Sequence, residues 1–286
     1  MTAGLVDTAS EGVHVSESTR TVKVSLQVQP QHATYAKMRE IWIEADALGV
    51  DTIFNWDHFY PLSGDADGLH FEAYTLIAAM AEVTSHARIG SLVTCNSYRN
   101  PNLLADMART IDHISGGRFI LGIGSGWAER DYFNYGYEFG TAASRLQDLK
   151  RDLPVIRERW SKLNPAPVNG TIPILVGGGG EKVTLRIVAE HADTWHAWGD
   201  PETMARKAGI LDEWCAKIGR NPQEIERSTG LGSTTNPTGG SLAKALATAE
   251  QHIANGVTHF TVSTTGPDYD LTGLRDFVAW RDKING

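Results

Sequence analysis

From Val22 to the C-terminus the sequence alternates eight times between a short apolar or β-branched run and a longer stretch of helical periodicity. The strand-like runs are 22–28, 51–56, 87–94, 118–124, 173–176, 194–198, 225–230 and 257–263. The helix-like stretches that follow them are 34–48, 71–84, 102–114, 142–160, 182–191, 201–218, 242–254 and 271–283. The first of these helices puts Met38, Ile41, Trp42, Ala45 and Leu48 on one face and stops at Gly49. The third is entered through Pro101, a favoured first-turn residue. Pro154 lies inside the fourth, which predicts a kink or break near Leu153. A doubly wound sheet is the rival arrangement. Eight strand-then-helix units in 286 residues favour a single closed (β/α)8 TIM barrel.

No interior linker divides residues 21–286, which read as one barrel domain. Residues 1–20 are rich in Ser, Thr and Glu, lack an apolar h-region, and read as a flexible N-terminal tail rather than a signal peptide. The formal net charge of −8 gives no basic surplus to displace counterions, so a nucleic-acid partner is not expected. No apolar run approaches the roughly 18 residues of a membrane span. Cys95 and Cys215 lie far apart and form no CxxC, which fits a reducing cytoplasm and argues against a zinc knuckle. The expected partner is a small-molecule substrate. A homodimer is compatible with the sequence but not specified by it.

Several strands end in residues that a core does not explain. Trp56-Asp57-His58-Phe59 closes the second strand with an adjacent acid and imidazole. Ser91, Leu92 and Thr94 lie near the tip of the third, and Gly122-Ile123-Gly124-Ser125-Gly126-Trp127 closes the fourth. Gly177, Gly178, Gly179 and Gly180 follow the fifth, and His196 and Trp198 end the sixth. In a parallel barrel these tips share the C-terminal face, where such folds carry their chemistry. A glycine run opening onto a helix offers backbone N–H groups to an anion, so Gly177–Gly180 are candidates to cradle a phosphate.

His58 is the candidate acid or base, or a donor to a cofactor ring, with a structural histidine held by Asp57 as the bland reading. Trp127, Tyr132, Phe133, Tyr135, Tyr137 and Phe139 read as a loop that either walls a pocket for a flat ligand or packs on its own rings. Gly122-x-Gly124-x-Gly126 is a weak dinucleotide signal, because no clean amphipathic helix follows it. His191 and His196 flank Asp193, but no HExxH accompanies them and no metal site is expected. No GxSxG elbow is present. Cys95 reads as a small buried residue.

Taken together, these stretches resemble the luciferase-like family, which includes bacterial luciferase, flavin monooxygenases and coenzyme F420-dependent oxidoreductases. The resemblance runs from about Val22 to Ala254. Further carriers are Ala45-Asp46-Ala47-Leu48-Gly49-Val50-Asp51, Leu92-Val93-Thr94, Tyr98-Arg99-Asn100-Pro101, Asp112-His113-Ile114-Ser115-Gly116-Gly117-Arg118 and Pro173-Ile174-Leu175-Val176 with the glycines through Glu181-Lys182. The Asp57-His58-Phe59 form is more similar to the F420 branch than to the FMN enzymes. The resemblance implies a luciferase-like barrel with a deazaflavin over strands two to four. It also implies a non-prolyl cis peptide after strand three, at Ser91-Leu92 by position. Asp57 and His58 match the ring-contacting pair, Thr94 a tail- or ring-binding position, and Gly177–Gly180 the phosphate loop. Ser91, Leu92, Gly124 and Ser125 complete the implied cofactor contacts, and Trp127 joins Asp57 and His58 as a catalytic candidate.

Two departures matter. The family's sugar-phosphate dehydrogenases place an acid where this chain has Trp127, and their Lys/Arg clamp has no evident match. The loop between Trp160 and Pro173 is shorter than usual, which predicts a more open pocket or a missing lid. The expectation is an F420-dependent oxidoreductase that transfers a hydride between deazaflavin and an organic substrate. An FMN-dependent monooxygenase and a cofactor-free barrel acting as a binding protein stay open beside it.

Overall fold

The computed structural model describes residues 21–286, so the expected N-terminal tail, residues 1–20, lies outside the described residues. The strands are β1 Lys23–Val28, β2 Thr52–Asn55, β3 Arg88–Ser91, β4 Thr94–Cys95, β5 Phe119–Gly124, β6 Ile174–Gly177, β7 Thr194–His196, β8 Glu226–Ser233 and β9 His259–Thr264. The helices are α1 Tyr35–Ala47, α2 Ala73–Val83, α3 Pro101–Ile114, α4 Glu129–Tyr135, α5 Ala142–Lys162, α6 Thr184–His191, α7 Pro201–Ile218, α8 Leu242–Ala254 and α9 Thr272–Asn285. Every named strand pairing is parallel, and β3 pairs with β5 to close the sheet. The result is the (β/α)8 barrel that the alternation predicts.

Three local expectations are corrected. The third strand is not continuous over 87–94: it is interrupted at a cis peptide between Leu92 and Val93, one residue later than Ser91-Leu92, and resumes as the two-residue β4. The aromatic stretch after Trp127 is not a plain loop. It contains α4, closed by Gly136 in the left-handed region. The long helix α5 runs unbroken through Pro154 for 21 residues. Leu149, Leu153, Ile156 and Trp160 are fully or almost fully buried along one of its faces, and this packing holds the helix together where the proline removes one hydrogen bond.

Strand alternation separates two layers. Val24, Leu26, Ile53, Ile89, Leu121, Ile123, Ile174, Val176, Trp195, Phe260 and Val262 belong to the large cluster packed with the helices. The inward-facing set is unlike the bulky branched filling usual in such barrels. On β2, β5 and β6, with Leu92 just beyond β3, it is apolar, and Phe54, Leu92, Ile120 and Leu175 form their own cluster. On β1, β7, β8 and β9 it is polar. Lys23 Nζ meets Glu226 Oε1 at 2.6 Å, and Glu226 Oε2 meets His259 Nδ1 at 2.9 Å. His259 Nε2 meets Ser25 Oγ at 2.5 Å. Burial opposes charge on Glu226, but His259 and Lys23 outweigh it and hold the carboxyl below its ordinary range.

The segment between Trp160 and Pro173 lies at the N-terminal end of the barrel. Val168 N donates to Asp112 Oδ2 at 2.8 Å, His113 Nε2 meets Ala166 O at 2.8 Å, and Asn169 Nδ2 donates to Gly117 O at 3.3 Å. A helix-to-strand connection sits on the face opposite the strand tips, so its length does not set how open the pocket is. The expected effect on a lid is thereby corrected.

Candidate active site

At the C-terminal mouth of the barrel a cavity of about 520 Å³ opens among the strand tips. Asp57, His58, Leu92, Thr94, Gly124, Ser125, Trp127, Gly177 and Gly178 line it, and Ser91, Gly179 and Gly180 do not. Ser91 is buried, with its hydroxyl unpaired. Gly179 and Gly180 face a neighbouring depression together with Lys182 and Thr184.

Asp57 and His58 are adjacent in sequence but have different partners. Arg99 grips Asp57 with two bonds, Nη1 to Oδ2 at 2.7 Å and Nη2 to Oδ1 at 3.0 Å. Cys95 N donates to the same Oδ2 at 3.0 Å. Arg99 also bonds Glu72 at 2.6 Å and lies 4.3 Å over the Tyr74 ring. Burial disfavours the guanidinium charge, but Asp57 outweighs it and raises the group above its usual range. Asp57 therefore ties the tip of β2 to the end of β4, with its charge balanced inside the protein.

His58 is not held by Asp57. Its Nδ1 lies 2.7 Å from Asp131 Oδ2, an oxygen that also accepts from Tyr98 OH at 3.0 Å. A carboxylate only accepts, so the His58 nitrogen that faces it carries the proton, and neutral His58 presents Nε2 as a lone pair. The imidazole stands edge-on to Trp56 at 5.9 Å and to Trp127 at 5.4 Å. Trp56 Nε1 donates to His70 Nε2 at 3.0 Å. His70 is pushed down to about 4, chiefly by burial, with the nearby His58 adding to it.

Of the six aromatic residues after Gly126, only Trp127 lines the cavity. Tyr132 is fully buried and packs with Cys95 and Tyr98, while Phe59, Tyr137 and Phe139 lie against that cluster. The stretch therefore packs largely on its own rings, with Trp127 at the cavity and Phe133, 85% exposed, outside the cluster. Cys95 Sγ meets Tyr132 OH at 3.1 Å, and burial pushes the thiol up to about 11, which leaves it inert.

The glycines have a steric reason as well. A Cβ on Gly124 would stand 2.9 Å from Val93 Cγ2, and one on Gly177 would stand 2.8 Å from Val93 Cγ1. Val93 thus projects between two positions that accept only glycine. In the loop, Gly178 N donates to His196 O at 2.9 Å and is spent within the fold. Gly179 and Gly180 have no backbone acceptor for their N–H groups among the described residues. Lys207 Nζ lies 2.5 Å from where a Gly179 Cβ would be, so an ammonium group overhangs these free donors. The sequence marks Arg99 only as part of the Tyr98-Arg99-Asn100-Pro101 stretch, with no role, and does not mark Asp131 or Lys207 at all. Each acts across a gap of many residues, and no spacing rule marks it.

Family and structural comparisons agree with this fold. Residues 14–270 match the family described as luciferase-like monooxygenase. The chain belongs to the luciferase-like monooxygenase family. Among its relatives are F420-dependent glucose-6-phosphate dehydrogenases. That of Amycolatopsis mediterranei is 29% identical over 144 residues, 50% of this chain and 43% of that protein. That of Microbacterium testaceum is 26% identical over 210 residues, 66% of this chain and 61% of that protein. The pyrimidine monooxygenase RutA of Variovorax paradoxus is 31% identical over 128 residues, 43% of this chain and 34% of that protein. The chain thus spans less than two thirds of the length of each of these three relatives. In structure, an F420-dependent secondary alcohol dehydrogenase in complex with an F420-acetone adduct superposes with a TM-score of 0.78 at 15% identity. That match covers 91% of this chain and 98% of the other. Long-chain alkane monooxygenase (LadA) gives 0.74 at 13% identity, covering 93% and 91%. At these TM-scores the luciferase-like chain shares their fold, and at identities this low the likeness is one of fold alone.

Proposed function

We propose that this protein is a coenzyme F420-dependent oxidoreductase acting on a small organic substrate. The observation that carries the reading is His58, oriented by Asp131, which lines the same cavity as Leu92, Val93, Gly177 and Gly178. The relatives named for F420 support the choice of cofactor.

The residues fit the group. Gly179 and Gly180 N–H groups with Lys207 would hold its phosphate. The Val93 wedge, seated by Gly124 and Gly177, would support the ring, with Thr94 and Ser125 as polar neighbours at its edge. When bound, the deazaflavin supplies hydride acceptance or donation at its C5. The chain's residues orient, exclude water and move the proton. Asp131 fixes the ring and tautomer of His58, so that Nε2 takes a hydroxyl proton from an alcohol, or in the reverse direction returns one to a nascent alkoxide. Trp56 and Trp127 pack on His58 and shield it from solvent. Asp57, neutralised by Arg99, positions the β2 and β4 tips and does not itself transfer a proton.

Parallel fluorescence titrations with F420, FMN and FAD test the reading. Saturable F420 binding, with FMN much weaker, is the expected result. Micromolar or tighter FMN binding with no response to F420 would reverse the cofactor choice in favour of an FMN monooxygenase. Binding of none of the three would favour a cofactor-free barrel.

A further inference from the structure

On the β7–β8 side the cavity wall consists of His196 and Trp198, which the reading above leaves unused. His196 is 3% exposed, and its Nδ1 meets Ser228 Oγ at 2.9 Å. Its Nε2 is buried with no partner. Burial, and to a lesser degree His259, push the imidazole down to about 3, so it is neutral near pH 7 and offers a hydrogen bond rather than a charge. A polar nitrogen buried without a partner is disfavoured, and a ligand that completes it gains from doing so.

Trp198 stands edge-on to His196, with ring centroids 5.3 Å apart, yet the residue is 60% exposed. It lies across Gly230, where a Cβ would be 1.7 Å from Cζ3 and 2.4 Å from Cη2. The strand thus carries a glycine where the indole rests, and an exposed aromatic face is held at the rim of the cavity. Among the described residues no Lys or Arg lines the cavity, and the one carboxylate that does, Asp57, is closed off by Arg99. An anionic substrate group would find no counter-charge here.

We propose that this wall is a substrate subsite for an uncharged, flat, mostly apolar carbonyl or alcohol compound, with Trp198 as the platform and His196 Nε2 as the hydrogen-bond partner. The subsite rests on the oxidoreductase reading above for its role in a reaction, but not for its ability to bind.

The test is a matched pair of probes, 2-acetylnaphthalene and 6-acetyl-2-naphthoate, titrated by calorimetry against the full chain with and without F420. The expected result is saturable binding of the neutral ketone and about tenfold or weaker binding of the carboxylate. Trp198→Ala and Gly230→Ala, the second by pushing the indole aside, are each expected to weaken the ketone about 3–10-fold, while Trp198→Phe retains most of the affinity. His196→Leu is expected to lose about 3–10-fold, with thermal unfolding followed on the same sample. F420 affinity is expected to stay unchanged in Trp198→Ala. Failure of the ketone to bind, equal or tighter binding of the carboxylate, or unaltered ketone affinity in both Trp198→Ala and Gly230→Ala would overturn the subsite. The titrations without F420 decide it even if F420 fails to bind, an outcome that would overturn only the oxidoreductase reading.

Discussion

His58 Nδ1 lies 2.7 Å from Asp131 Oδ2, so the imidazole at the tip of β2 takes its orientation from a helix 73 residues further along the chain. An Asn at 131 can present its amide N–H to the ring and reverse the tautomer, leaving Nε2 protonated and useless as a base. Asp131→Asn is therefore expected to slow turnover by about 10²–10⁴-fold without changing F420 affinity. In a His58→Ala background the same change should add little, because the two residues act as one unit. Single-turnover reduction and a binding titration check both points. Normal turnover in Asp131→Asn would remove His58 from proton transfer.

Arg99 is the partner that makes a fully buried Asp57 tolerable. Arg99→Met leaves that carboxylate with the Cys95 N–H alone and is expected to cost about 3–5 kcal/mol of stability. Urea unfolding measures it. A loss below about 1 kcal/mol would place the pair in the class of solvent-screened bridges.

In the glycine loop, Gly178 has φ +130, a region side chains rarely adopt. Gly178→Ala and Gly178→Asp should therefore lose similar stability, and only the aspartate should abolish F420 binding through like-charge repulsion. Lys207→Ala should weaken F420 about tenfold at low salt and less as salt rises, with the melting temperature unchanged. Equal F420 affinities in the two Gly178 variants, or a salt-independent Lys207→Ala, would move the phosphate elsewhere.

Stability should fall as the solution is acidified below neutrality. His70 binds its proton near pH 6.5 when unfolded and only near 4 when folded, chiefly because it is buried. Between those values the unfolded state holds more protons, so stability is complete above the upper value and declines by about 1.4 kcal/mol per pH unit from this one group. Chemical denaturation at about pH 7, 6 and 5 should show the slope, and His70→Gln should reduce it by one proton's worth. An unchanged slope in that variant would mean that His70 is protonated in the native protein.

The barrel, its strand tips and the residues around the cavity were legible because period-2 runs alternate with helical ones and glycines mark the turns. The break at Leu92-Val93 was not. Val93 fits only because Gly124 and Gly177, on two other strands, leave room for it, and a single run of sequence does not carry that information. For the same reason His58 looked like a partner of its neighbour Asp57, when its true partner Asp131 comes from α4 and Asp57 belongs to Arg99. The aromatic run after Trp127 read equally well as a pocket wall or as a self-packed loop. Which rings turn inward depends on Cys95 and Tyr98 on the other side of β5.

The division of the barrel's interior into a dry half and a wet half has a bearing on how this protein can change. Phe54, Leu92, Ile120 and Leu175 pack against one another on one side, while Ser25, His259 and Glu226 form a bonded set on the other. The two sets meet where Gln27 Nε2 donates to Leu92 O at 2.8 Å and where the Phe54 and His259 rings stack with centroids 6.4 Å apart. At the β7 tip the halves are joined again, because His196 O accepts from Gly178 N at 2.9 Å and Trp195 Nε1 donates to Gly178 O at 2.8 Å. A change of shape in one wall is therefore passed to the other through Gln27, the Phe54–His259 stack and the Gly178–His196 bond, so that the two halves answer as one molecule.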